Sequence, residues 1–218
     1  MHRLFVAVEP PETIKDQLIG VMEGVVGARW QASERLHLTV RFIGEVNGRV
    51  AEDIADALSR LEHPACAVAL ASVGVFERRG RPEAIWAGLA PHRPLRVLHD
   101  KVDRALAMAG VAPDTRAYLP HITVARLHGG SAPVGGWLAA HGALASEPWP
   151  VDELTLYESH LGKSGAHYQP VLRVALTRSF AAEPLNPQRS AALRLRTAAS
   201  RPGCPLAPVP SRRAPWRR

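Results

Sequence analysis

The sequence predicts a mixed α and β fold in which one strand-and-helix pattern occurs twice, giving two similar lobes that face each other. Three observations carry this. Apolar runs of strand length alternate with segments of helical apolar spacing as far as about residue 180. A histidine and a threonine stand two residues apart in "RLHLTVRFIG" (35–44) and again in "YLPHITVARLHG" (118–129). In each half the strand with this motif follows the first helix, a coarse internal duplication.

The elements follow in order. "RLFVAV" is a strand, and "PPETIKDQLIGVMEGVV" a helix with Pro at its entry and Ile14, Leu18, Val21, Met22 and Val25 at helical spacing. "LHLTVRFIG" is the next strand, ended by Gly44. "NGRVAEDIADALSRLE" puts Val50, Ile54, Ala57, Leu58 and Leu61 on one helical face, and "CAVALASVGVF" returns as a strand. The second half opens with the strand "AIWAGLA" and the helix "PLRVLHDKVDRALAMAG", closed by Gly110. "HITVARL" mirrors the first motif strand, and "VGGWLAAHGAL" is a helix weakened by two glycines. "PVDELTLYESHL" and "AHYQPVLRVALT" are two strands joined by the turn-rich "GKSG".

A chain of 218 residues with 46% hydrophobic and 22% charged side chains can bury a substantial core. The opening "LFVAV" is too short for a membrane span or a secretory signal, and no longer uncharged run follows, so a cytoplasmic protein without membrane association is expected. Cys66 and Cys204 form neither a disulfide framework nor a zinc spacing, and Cys66 is read as a small buried residue. The net charge of +7 sits in the tail, where eight arginines from Ala181 onward face the single acid Glu183. The division expected is therefore a bilobal domain over 1–180 and a basic Pro/Arg-rich disordered tail over 181–218. A formally neutral folded part excludes a general electrostatic nucleic-acid binder.

Two residues along a strand return a side chain to the same face. His37 therefore points with Thr39, and His121 with Thr123, opposite Leu38 and Val40 in one strand and Ile122 and Val124 in the other. One such strand reads as the wet side of a sheet. Two copies in duplicated lobes bring the polar pairs together across a cleft. There, one imidazole takes a proton from a nucleophile while the other gives one to a leaving oxygen, and both titrate near neutrality. The threonine hydroxyls donate to phosphate oxygens as charge builds. No carboxylate cluster or ligand spacing points to a metal, so neither metal nor cofactor is expected, and activity should survive chelator.

On "RLFVAVEPP", "LHLTVRFIGEV", "GVFERRGRPEAIWAGL", "LPHITVAR" and "LTLYESHLGKSGAHYQPV", the chain resembles the 2H phosphoesterase superfamily over about residues 2–176. Within it, the similarity is to the bacterial and archaeal RNA 2′,3′-cyclic phosphodiesterases historically called 2′-5′ RNA ligases. The resemblance implies a bilobal α+β fold with two antiparallel sheets around a central active-site cleft and helices outside. It implies hydrolysis of an RNA 2′,3′-cyclic phosphate end to a 2′-phosphate, with His37 as general acid, His121 as general base, and Thr39 and Thr123 holding the phosphate; the acid and base roles are interchangeable at this level. Arg126, three residues after the second threonine, matches a family arginine that binds phosphate or base; strand parity points it away from His121, so a bulge or the strand end must re-aim it. Phe42 matches an aromatic that stacks on the base, while its parity favours the core. Tyr157 and Tyr168 are read as structural, with either able to rim the cleft, and the remaining histidines as loop or surface residues. Where many relatives carry lysine, this chain has Arg41.

The partner expected is RNA with a 2′,3′-cyclic phosphate end, tRNA fragments included, or a small cyclic nucleotide, met by a monomer. Alternatives are an ATP-independent 2′-5′ RNA ligase, in which the cyclic phosphate carries the activation, and an RNA-end binding module with little turnover.

Overall fold

The computed structural model describes residues 1–128, 133–162 and 165–177. Its elements run β1 (His2–Val8), α1 (Glu12–Ile19), β2 (Arg29–Trp30), a 3-10 turn (Ser33–Arg35), β3 (Leu38–Val46) and α2 (Gly48–Ser59). They continue through β4 (Cys66–Arg78), β5 (Arg81–Ala90), α3 (His92–Met108), β6 (His121–Arg126) and α4 (Gly135–His141) to β7 (Trp149–Val151), β8 (Glu153–Gly162) and β9 (Gly165–Ala175). The tail expected over 181–218 lies outside the described residues.

Local chemistry explains most element ends. The Asn47 side chain accepts the Val50 N–H at 3.0 Å and so caps α2. The first helix is shorter than its periodicity suggests: it stops at Ile19, with Gly20 at its C-cap, and Val21 and Met22 continue only as turns. Val25 is still buried, which is why its spacing reads as helical. Gly44 does not end its strand but sits inside β3 at φ 94°, which its lack of a Cβ permits. The expected strand from Pro150 breaks at Asp152 into β7 and β8, which pair with different neighbours.

Every strand pair is antiparallel, and the order is β7-β4-β5-β6-β3-β1-β8-β9, with β2 added on β6. The two antiparallel sheets expected are thus two halves of one connected order. They join where β3 meets β6, through the single register pair Leu38↔Ile122. Nor does each half of the chain build its own half-sheet. The tight turn at Arg79 and Gly80, with φ of 54° and 73°, folds β4 back on β5, so a strand of the first half joins the second motif's neighbours. In exchange, β8 and β9 return to pair along β1.

One face of the sheet is apolar. Leu4, Val6 and Val8 of β1, Leu38 and Val40 of β3, and Ile122 and Val124 of β6 are buried there with Ile54 and Leu58 of α2 and Leu95, Leu98, Val102 and Leu106 of α3. Each such side chain stabilises the fold by about 1.5–3 kcal/mol. Helices α2 and α3 pack on each other, and α3 lies against β3. Cys66 is half-buried rather than fully enclosed, and its burial pushes the thiol pKa up. His63 and His99, expected at the surface, are buried, His99 stacking on Tyr118 at 4.3 Å. None of the described helices is long and apolar enough to cross a membrane.

Candidate active site

The two motifs meet at their centres. Leu38 and Ile122, the residues between each histidine and its threonine, are antiparallel Cα partners. Continuing that register sets His37 across from Thr123 and Thr39 across from His121. His37, Thr39, Phe42, Thr123 and Arg126 line one cavity of about 230 Å³. His121 is not in that wall; it stands beside it, and its charge and that of Arg126 both act on His37.

A one-residue bulge just after the threonine of each motif explains why Phe42 and Arg126 reach the cavity. Along β1, Ala7 pairs with Thr39 and Val6 with Arg41, so Val40 is skipped. Along β5, Trp86 pairs with Thr123 and Ile85 with Ala125, so Val124 is skipped. Each extra residue reverses the alternation beyond it. Two consecutive residues, Val40 with Arg41 and Val124 with Ala125, are then buried, and the third position after each threonine turns back toward the motif face. This overturns the strand parity that sent Phe42 to the core; it is 40% exposed, with the Arg3 guanidinium carbon 5.5 Å from its ring centre.

Buried Arg41 fixes the first bulge. Its Nε donates to Asp103 Oδ1 at 2.6 Å, and its terminal nitrogens donate to the carbonyls of Phe42 at 2.5 Å and Ala112 at 2.6 Å. The strand carrying the first motif is thereby tied to α3 and to the segment leading into the second.

Both histidines are anchored alike. The His121 ring bonds through Nδ1 to the Leu119 carbonyl at 2.7 Å, and His37 bonds to the Arg35 carbonyl, in each case two residues upstream. With Nδ1 as the donor, His121 presents Nε2 as a proton acceptor. Each ring also rests on aromatic neighbours. His37 lies 5.0 Å from Phe5 and 5.3 Å from Tyr168; His121 lies 4.8 Å from Phe76 and 6.2 Å from Trp86.

These surroundings correct the expectation that both rings titrate near neutrality. Burial, with smaller contributions from the charges of His121 and Arg126, lowers the His37 pKa to about 4, against the upward pull of its backbone bond and of Glu9. Burial, then Arg126, also lowers that of His121, against its bond to Leu119. Both rings are therefore neutral at pH 7 in the free protein.

Several wall residues were not singled out from the sequence. Phe5, Gln31, Arg35 and Ser159 line the cavity, as does Tyr168, one of the two tyrosines that the sequence allows at the cleft rim. Phe5 was recoverable, since it alternates in β1 with the core residues Leu4 and Val6. Tyr157 stacks beneath Phe5 at 5.2 Å, and its hydroxyl donates to Glu9 Oε2 at 3.4 Å. Among the described residues, no group of three or more His, Cys, Asp or Glu side chains is placed to hold a metal ion.

A family model described as the 2′-5′ RNA ligase superfamily matches residues 10–163. The RNA 2′,3′-cyclic phosphodiesterase of Aeropyrum pernix is 36% identical over 97 residues, 44% of this chain and 55% of that protein, so the chain spans about half the length of this relative. The Escherichia coli protein of the same name is 28% identical over 186 residues, 81% of this chain and 97% of its own. The crystal structure of Escherichia coli LigT complexed with 3′-AMP is similar with a TM-score of 0.68 and 27% identity, covering 81% of this chain and 99% of that one.

Proposed function

The chain belongs to the 2′-5′ RNA ligase superfamily, and on that premise we propose that it hydrolyses RNA 2′,3′-cyclic phosphate ends to 2′-phosphates. The observation that carries the reading is the Leu38↔Ile122 pair, which brings the two His-x-Thr motifs together beside a cavity lined by His37, Thr39 and Thr123. Relatives named RNA 2′,3′-cyclic phosphodiesterase support the substrate class.

In this reading the cyclic phosphate lies between the motifs, its non-bridging oxygens taking hydrogen bonds from the Thr39 and Thr123 hydroxyls and charge from Arg126. His121 accepts a proton from water through Nε2 as the water oxygen attacks phosphorus. The P–O3′ bond breaks, and His37 gives its proton to the departing O3′, leaving phosphate on O2′. One proton is taken up and one released, so each turnover returns the pair to its total protonation after a proton moves from His121 back to His37.

The direction follows the family resemblance: Glu9 raises the His37 pKa, while Arg126 lowers that of both rings. His37 is neutral in the free protein, so it must gain its proton as the anionic substrate enters and offsets the cost of a cation in the cleft. Phe42 and Tyr168 in the cavity wall are the aromatic side chains placed to stack on the terminal base.

The test is a short RNA ending in a 2′,3′-cyclic phosphate, incubated in chelator with the wild type, His37→Ala and His121→Ala, with the position of the product phosphate identified. Wild type alone should give a 2′-phosphate. Binding without turnover by the wild type would reject the hydrolase.

A further inference from the structure

The site does not end at the histidines. A second cavity of about 470 Å³ continues from the first, with Gln31, Arg35, Arg126, Ala166 and Tyr168 shared between their walls. Beyond the shared wall it is edged by Arg29 and His128, and Glu83 is the acid in its lining, 3.6 Å from Arg78 on its other side.

The placement of its cations is costly. Arg29 and Arg126 are Cα partners between β2 and β6. Like charges directly opposite each other on neighbouring strands destabilise a sheet. Arg35 adds a third guanidinium. Terminal nitrogens of Arg29 and Arg35 both come within 3.0 Å of the point a Cβ on residue 165 would occupy, and that residue is glycine at φ 115°. The β8–β9 hairpin thus accommodates the two guanidinium groups because it presents no side chain there. An anion in this groove would offset the mutual repulsion, and the planar fork of arginine matches phosphate in bidentate fashion.

We propose that Arg29 and Arg35 form a second phosphate subsite that takes the phosphodiester preceding the reacting end, so that the preferred substrate is an RNA chain of at least two nucleotides. This rests on the phosphodiesterase reading above. The shared wall at Arg126 gives the geometry its direction: the reacting phosphate lies on the histidine side, and the chain leaves along the arginine side. Single-stranded RNA suits such a groove, since its backbone can follow a bend that a duplex cannot.

Two measurements decide it. The first compares kcat/KM for a mononucleoside 2′,3′-cyclic phosphate and for a dinucleotide ending in the same group. Wild type should favour the dinucleotide, and Arg29→Gln should lower that preference about tenfold, the loss of one charge-assisted hydrogen bond. Equal preference in the two proteins overturns the subsite. Arg29 is exposed, so the variant is expected to fold. The second measures binding of a tetranucleotide bearing a terminal 2′-phosphate across salt concentrations. The log–log slope of wild type should be steeper than that of Arg29→Gln by about 0.7, one phosphate's worth for a single strand; equal slopes overturn the subsite whether or not the protein turns over. No hydrolysis of either cyclic substrate by wild type would instead overturn the phosphodiesterase reading, leaving the slopes to decide the subsite.

Discussion

Leu38 and Ile122 face each other as Cα partners, and they are the register pair that joins β3 to β6. The residues that carry the proposed chemistry flank this pair on both strands. The threonines are partly exposed and lie outside the apolar cluster, so each can be altered without opening the core. Thr39→Val and Thr123→Val should each lower kcat by about 10²-fold, as expected for one lost transition-state donor, with Tm nearly unchanged. Steady-state kinetics beside thermal melts check this; a fall in Tm with kcat preserved would reject the anion-holding role.

The His37 ring should titrate with a midpoint of about 4 in NMR of the free protein, and the midpoint should rise when a nucleoside 2′-phosphate binds. Its folded pKa lies below the value of 6.5 for a free ring. Between those limits the unfolded chain holds a proton that the folded chain lacks, so this histidine makes stability fall as pH drops from 6.5 to about 4. Above 6.5 neither state is protonated and the effect vanishes. Urea unfolding at pH 7.5 and 4.5 should show a smaller acid loss for His37→Gln than for wild type.

Arg126→Ala should raise the titration midpoints of both His37 and His121, because the arginine charge lowers each of them. Histidine NMR titrations of the variant test this; unchanged midpoints would place the guanidinium elsewhere in solution.

Arg41→Met removes the cation from the Asp103 carboxylate, which keeps only the Asp114 N–H, and a donor from each of two backbone carbonyls. Removing one member of a buried charged cluster costs about 3–5 kcal/mol, read as a lower denaturation midpoint. Arg41→Lys keeps the charge but not the three-way fork, and should recover only part of the loss.

Gly74 lies directly under the Trp86 ring: a Cβ there would come within 2.2 Å of it. Gly74→Ala should therefore cost about 1–3 kcal/mol through overpacking and move Trp86 against His121, its neighbour at 6.2 Å. A lower Tm accompanied by a shifted His121 titration would show both effects.

Strand alternation in the sequence was enough to pair His37 with Thr39 and His121 with Thr123 and to send Leu38 and Ile122 inward. It misdirected Phe42 and required a bulge or the strand end to turn Arg126 inward, since a bulge exists only in the register between two strands, and neither Val40 nor Val124 announces where one lies. The helix after β1 was read too long because Val25 is buried without being helical. The strand exchange was hidden because the hairpin at Arg79 and Gly80 decides it. The low pKa of His37 was equally out of reach, as its cause is the packing of residues far away in the chain.

The exchange of strands between the half-sheets has a consequence for a chain still being made. His37 acquires its neighbour Tyr168 only from β9, although His121 already has Phe76 from β4. A ribosome paused before residue 153 would hold a polypeptide with both motifs translated, β1 lacking its β8 partner, and that edge open to pairing with another chain. Synthesis order therefore places completion of the pocket at β8 and β9, after every residue of both motifs has emerged.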